Sequence, residues 1–255
     1  MSNPSRPNVK AAPPFDAVAD LARFSYVDDD FIVGTVTGDD ATTAGIGKLR
    51  WLVTDVAGAA DSDVEPHVTA ADIKGHPGVI ALNTGPTTPA DGDEASLFLP
   101  NVDAVVLYDP TDALSVSDEF VLATAWVRFP SVTAIEFNFG FFDAKGVAGR
   151  GVNSVSCELD ISADTEFNLV VVDGSTATAV ASTITAAVDT WYKIDVFANE
   201  DEAQLYINDV YAAHTNSANI PDDEPLGVGF KVATETAGEK SVLIDAFQLR
   251  VPVSR

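Results

Sequence analysis

The feature that most constrains this chain is a period of two in its apolar residues. Between Ala134 and Asp143, Ile135, Phe137, Phe139 and Phe141 alternate with Glu136, Asn138 and Gly140. Successive side chains of a strand point to opposite faces, so this spacing predicts a strand with one buried face. The pattern recurs in Ala203–Asp209, where Ala203, Leu205 and Ile207 oppose Gln204, Tyr206 and Asn208. In Trp191–Phe197, Tyr192, Ile194 and Val196 oppose Lys193 and Asp195. Four runs, Phe120–Phe129, Phe167–Val172, Leu226–Val232 and Val242–Val251, are apolar on both faces and are expected to be central strands.

Turn-forming clusters separate these runs: DPTD at 109–112, VDGST at 172–176, NEDE at 199–202 and PDDEP at 221–225. Helical spacing is confined to Phe15–Phe24, where Val18, Leu21 and Ala22 line one short face. The expectation is an all-β chain, an antiparallel β-sandwich of jelly-roll type. Residues 25–255 would form that single domain. Residues 1–24, with Pro4, Pro7, Pro13 and Pro14, would form an extended Pro-rich arm carrying the short helix. The opening residues have no apolar stretch of the signal-peptide kind, and no run approaches 18 apolar residues, so neither a leader nor a membrane helix is expected.

Charge narrows the function. The 255 residues hold 39 Asp and Glu against 14 Lys and Arg, a formal charge of −25. Such a surface repels phosphates, so nucleic acid and anionic membrane surfaces are not expected partners. Hydrophobic residues make up 46% of the chain, which excludes an acidic disordered tail. In molar salt the Debye length falls to about 3 Å and the self-repulsion of such a chain largely disappears. The excess of acids therefore predicts a protein that works in high salt, with an incidentally acidic surface as the plainer alternative.

Several constellations are candidates for chemistry. Glu158, Asp160 and Ser162 alternate on one predicted strand; Asp164 lies beyond them, about 20 Å from Glu158 along an extended chain. Ser162 cannot protonate a leaving group near neutral pH, so a solvated strand face is the expected account of these acids. Asp61, Asp63 and Glu65, and likewise Asp91, Asp93 and Glu94, cluster oxygens on what read as loops. They lack the spacing of a known calcium loop, so a solvated acidic surface and no cofactor are expected, with a bound calcium or magnesium ion as the alternative. His67, His76 and His214 show no paired-ligand spacing and are expected in loops or caps. Cys157, between Val155 and Leu159, is expected to be a buried thiol, and Asp245, between Ile244 and Ala246, a buried acid. Trp126, Glu136, Asn138 and Tyr206 are the residues that stacking and hydrogen bonding to a glycan would draw on.

Two groups of segments carry a family resemblance. The first is DDDFIVG (28–34), GIGKLRW (45–51) and GHPGVIALNTG (75–85). The second is DTWYKIDVFANEDEAQLYIND (189–209), HTNSANIP (214–221) and SVLIDAFQL (241–249). Together they resemble the concanavalin A-like, laminin-G-like jelly rolls of tailed-virus structural proteins; the segment Thr54–Thr69 departs from that pattern by its length and acidity. The resemblance implies a non-enzymatic virion protein: a capsid decoration, turret or fibre component that contacts other virion proteins and copies of itself. The Glu158-x-Asp160 pair also resembles two of the three acids of concanavalin A-like laminarinases and lichenases, with Ser162 at the third. The alternatives, in order, are a lectin-like module attaching to host surface glycans and a glycoside hydrolase.

Local physics also gives the shared words roles. Gly75, Pro77 and Gly78 around His76 suit a turn into the strand Val79–Leu82, Asn208-Asp209 suits a tight hairpin turn, and Trp191 suits a ring capping the core.

Overall fold

A computed structural model describes residues 24–31, 47–49, 51–56, 63–66, 78–85, 92–99, 121–143, 151–162, 164–221 and 226–252. The arm, all of the short helical segment except Phe24, Asp61, Asp91, His67, His76 and the DPTD turn lie outside these residues. Phe24 itself opens a strand.

The described residues form strands and no helix. In chain order the strands are β1 (Phe24–Asp29), β2 (Leu52–Val56), β3 (Asp63–Pro66), β4 (Ile80–Asn83), β5 (Glu94–Leu99), β6 (Val121–Arg128), β7 (Ile135–Phe142) and β8 (Ser154–Asp160). Then follow β9 (Glu166–Asp173), β10 (Thr176–Thr185), β11 (Trp191–Ala198), β12 (Ala203–Ile207), β13 (Val210–Thr215), β14 (Gly227–Thr234) and β15 (Ser241–Pro252). One sheet runs β13-β12-β11-β6-β15-β4-β3, with β1 also pairing to β15; the other runs β10-β9-β8-β7-β14-β5-β2. The strand pairings are antiparallel. This is the expected jelly-roll sandwich.

The alternation decides what lies between the sheets. Ile135, Phe137, Phe139 and Phe141 of β7 face Val121, Ala123, Ala125 and Val127 of β6 in one continuous core. Trp51 sits at its centre, 4.7 Å from the ring of Phe247 and 5.7 Å from that of Phe230. A second knot joins Phe129, Phe137, Phe167 and Tyr192, with Phe167 and Tyr192 4.9 Å apart. Rings of this size each bury a large apolar area, and offset or edge-on pairs add to it. Cys157 is fully buried among them, as expected, and burial pushes its thiol well above the ordinary range.

The resemblance-bearing words prove to be frame. The carboxylate of Asp29, buried in the sandwich, accepts hydrogen bonds from Phe31 N (2.9 Å), Leu49 N (3.0 Å) and Trp51 Nε1 (3.2 Å). Gly47, at φ 67°, leaves the space that carboxylate needs: a Cβ there would lie 2.3 Å from Asp29 Oδ2. Asn208 and Asp209 both adopt positive φ, 52° and 62°, and turn β12 into β13 as a two-residue hairpin. Asn208 locks that turn to β11 by accepting Lys193 N and donating its own N–H to Lys193 O, each at 2.8 Å.

Three expectations change. Trp191 packs on Val79, Ala81 and Leu243 outside the sandwich rather than capping its core. Asp245 falls at a bulge, where the β15–β6 register skips from Ile244 to Ala246, and is half-buried rather than buried. β9 lies one strand from an edge, not at the sheet centre, although both its faces are covered.

Candidate functional site

Because odd-numbered residues of β7 and β8 fill the core, the even-numbered ones face away from it. Strand pairing aligns them into rows across the seven-stranded sheet. One row reads Ser96, Lys231, Asn138, Glu158 and Asn168; the next reads Glu94, Ala233, Glu136 and Asp160. Directly paired side chains on one face of an antiparallel sheet stand about 5 Å apart at Cβ, so these groups form one cluster.

The cluster is not solvated. Glu158 is 3% exposed, and Asn138, Lys231 and Glu94 are each 1% exposed. The expectation of a solvated face for Glu158 and Asp160 is therefore overturned; Asp160 is half-buried and Glu158 buried. Burial of charge demands partners. Lys231 Nζ lies 3.9 Å from Glu94 Oε1, 4.9 Å from the centre of the Phe142 ring and 5.6 Å from that of Phe98. Burial still pulls the Lys231 ammonium below its usual pKa, although Glu94 opposes the shift. Ser96 Oγ donates to Glu94 Oε1 at 3.0 Å, and Asn138 Nδ2 to Glu136 Oε1 at 2.9 Å. Burial, reinforced by the charge of Glu158, pushes the Glu136 carboxyl up to about 7.

On this face four polar atoms are buried without a hydrogen-bond partner: Asn138 Oδ1 and Asn168 Oδ1 in the cluster, and Ser154 Oγ and Ser156 Oγ further along β8. A buried polar atom is rarely left so unless water or a ligand meets it. Glycine shapes the floor: a Cβ on Gly140 would lie 2.2 Å from Val155 O, and one on Gly229 would lie 3.0 Å from the Phe98 side chain. Chemically, the cluster offers a carboxyl that holds a proton near neutrality, two further acids on the adjoining strand and one cation.

The residues singled out from sequence are not brought together as one site. Glu136 and Asn138 lie on the outer face of the seven-stranded sheet, Trp126 and Tyr206 on the outer face of the other. Trp126 is half-buried beneath Lys193, whose Nζ is 5.9 Å from the ring centre, and buried Tyr206 donates its hydroxyl to Gln204 Oε1 at 3.1 Å. Ser162 leaves the face altogether, and its N–H and hydroxyl cap Asp160 Oδ1 at 3.1 and 2.9 Å. Asp164 is in a turn, where its Oδ1 accepts Glu166 N at 3.0 Å. His214 is a strand residue rather than a loop or cap, with Nε2 2.9 Å from Glu202 Oε2. Glu94 opens β5 and Asp93 is buried beside it, so neither is on an open loop. Asp63 and Glu65 lie on β3. Among the described residues no three His, Cys, Asp or Glu side chains gather to hold a metal ion. Sequence reasoning missed Glu94 as a partner for Lys231; the signal was a lone lysine inside the apolar run Leu226–Val232.

No family model and no curated protein matches the chain. Solved structures do. A protein of unknown function from Shewanella oneidensis MR-1 aligns at a TM-score of 0.57 and 14% identity, over 98% of this chain and 99% of that one. The endo-β-1,3-glucanase of Pyrococcus furiosus aligns at 0.56 and 11%, over 90% and 94%. The carbohydrate recognition domain of Emp47p aligns at 0.54 and 13%, over 92% and 99%. The class is thereby defined: this is a concanavalin A-like jelly roll, the fold of these lectin and glucanase structures. At such identities the likeness is one of fold.

Proposed function

We propose that the chain is a non-enzymatic structural protein of a tailed virus, displayed on the virion as a decoration, turret or fibre component and adapted to concentrated salt. The observation that carries this reading is the role of the residues behind the resemblance. Asp29, Gly47 and Trp51 interlock inside the sandwich, and Lys193 with Asn208 fixes a hairpin, so the resemblance-bearing residues serve architecture. The buried acids support it: Glu94 is engaged by Ser96 and Lys231, and a polymeric substrate needs side chains it can reach. Partners on this reading are other virion proteins and further copies of the chain. The charge of −25 would keep particles dispersed in brine.

Mass spectrometry of purified particles tests it. Tens to hundreds of copies per particle are expected, relative to the major shell protein; absence from the particle overturns the proposal.

A lectin-like attachment module is the second reading, favoured by the unpartnered amide oxygens of Asn138 and Asn168 on either side of Glu158. Retention of the protein on host surface polysaccharide at molar salt, abolished by Asn138→Ala, would support it; absence of retention would remove it.

A further inference from the structure

We infer that β10 is an association edge, onto which a second copy of this chain adds to extend the seven-stranded sheet. The inference is independent of where the protein works. β10 is terminal in its sheet, and among the described residues its strand partner is β9 alone. An edge strand directs every second backbone N–H and C=O outward, and natural edges are protected by lysines, prolines, bulges or cover. β10 reads TATAVASTIT, ten residues with no charge and no proline, in a chain with 39 acids among 255 residues. The opposite edge of the same sheet, β2, carries Asp55. A bulge does interrupt β10 between Ala181 and Thr185, where Ile184 N donates to Ser182 Oγ at 3.0 Å. It leaves Thr176–Ala181 as six residues in regular register with β9.

The surroundings point the same way. Val180 and Ile184 turn inward onto the core, whereas Ala177, Ala179 and Ala181 are exposed and small enough to let another strand approach. Among the described residues the exposed large hydrophobic ones are Val152 (47%), Val188 (50%) and Val210 (57%), and the first two flank the ends of β10. Val152 O accepts Ser175 N at 2.9 Å in the turn that starts β10, and Val188 follows its end. Val210 opens β13, the edge strand of the other sheet. The chain just after β13 is tied to β10 through Thr178 Oγ1, 3.0 Å from Ser217 Oγ and 2.8 Å from Asn219 Nδ2. β13 (VYAAHT) also carries no acid of its own; Asp173, Asp189 and Asp209 sit in the flanking turns and at the neighbouring strand's end.

Charge identifies the occupant. Two copies carrying −25 each repel wherever acids meet acids, and a neutral edge is where they can touch; a basic partner would be drawn to the acidic surface instead. A two-fold axis normal to the sheet through Thr176–Ala181 sets β10 antiparallel to its own copy, so that one residue faces itself and the contact closes after two subunits. Salt strengthens the pairing by screening the remaining repulsion.

Sedimentation of the full chain from low to molar KCl, with single cysteines at Ala177, Thr178, Ala179, Val180 and Ala181 in turn, tests this. Cys157 is fully buried and should be silent to mild oxidation. The expected result is a dimer that tightens with salt, and a covalent dimer at the axial position, because a disulfide requires Cα atoms within about 4.4–6.8 Å. Ala179→Asp, on an exposed face, should weaken dimerisation at least about tenfold, since like charges opposed across strands destabilise the pairing, with an unchanged melting curve at concentrations low enough for both proteins to be monomeric. A monomer at every salt concentration, or a dimer that neither cross-links along β10 nor weakens in Ala179→Asp, would overturn the proposal.

Discussion

The two sheets present different chemistry on their outer faces. On the eight-stranded sheet the charges around β11 meet an opposite charge or a donor: Lys193 Nζ lies 3.1 Å from Asp195 Oδ2 and 2.7 Å from Asp209 Oδ1, and Thr124 Oγ1 donates to Asp195 Oδ1 at 2.6 Å. Arg128 adds a bridge to Asp189 at 3.2 Å and lies 6.0 Å from the Trp191 ring. On the seven-stranded sheet like charges are opposed: Glu136 is paired with Asp160 and neighbours Glu158, while the one lysine of those rows is set among rings near Glu94. Paired charges tie strands together, whereas burial beside Glu158 makes Glu136 hold a proton to higher pH. The difference explains how an acidic chain can tolerate carboxylates on strands, and which of them would be sensitive to pH.

The sharpest way to break the contrast is Lys231→Met. The cation is fully buried, so its loss removes the opposite charge 3.9 Å from buried Glu94, and removing one partner of a buried pair costs about 3–5 kcal/mol. Denaturant unfolding should show that loss, and Lys231→Met with Glu94→Gln should recover part of it. No recovery would mean that Lys231 acts through its packing on Phe98 and Phe142.

Next in size is a pH effect from Glu136. Its carboxyl is raised from 4.5 to about 7 in the folded chain, so between those values the folded form holds a proton that the unfolded chain has released. Stability must therefore fall as pH rises from 4.5 to 7 and level off above, by at most about 3.5 kcal/mol at about 1.4 kcal/mol per pH unit. Thermal melts of Glu136→Gln should lose most of that slope; an unchanged slope would place the titration elsewhere.

The hydroxyls of the two faces give a smaller and opposite pair. Thr124→Val withdraws a donor from buried Asp195 and should cost about 1–3 kcal/mol, whereas Ser156→Ala removes a hydroxyl with no partner and should be close to neutral. Equal losses in chemical denaturation would erase the distinction, and a large loss for Ser156→Ala would reveal a bound water or ligand there.

How much of this was legible in the sequence follows from the same alternation. Period two tells which residues of a strand face the core, and it placed Phe137, Phe139, Leu205 and Ile194 there correctly. Turn chemistry was equally local: Asn208-Asp209 needs only its own φ values. What alternation cannot tell is which sheet a strand joins. Trp126 and Tyr206 therefore seemed able to meet Glu136 and Asn138, which lie on the other side of the sandwich. Nor does it give register, so Glu136 opposite Asp160, and Asp29 beneath Trp51 Nε1, emerge only once distant strands are paired. The turns are written locally, whereas the Asp29–Trp51 contact and the polar cluster are written across strands.

The smallest expected effect is Lys193→Met, which isolates how much the paired face owes to its charges. Lys193 is partly exposed, and its pKa is raised because Asp209 and Asp195 together outweigh the cost of burial. Exposed and half-exposed ion pairs contribute up to about 1 kcal/mol, and salt screens them. The substitution should therefore lower stability by less than about 1 kcal/mol in dilute buffer, with the difference vanishing in molar KCl, while that of Lys231→Met persists. Melting both variants across a KCl series separates a cation held by solvent-screened charges from one held by a buried carboxylate and two rings. If Lys193→Met keeps its full deficit at molar salt, the lysine stabilises chiefly by covering Trp126, and the two faces differ less in electrostatics than in how deeply their cations are set.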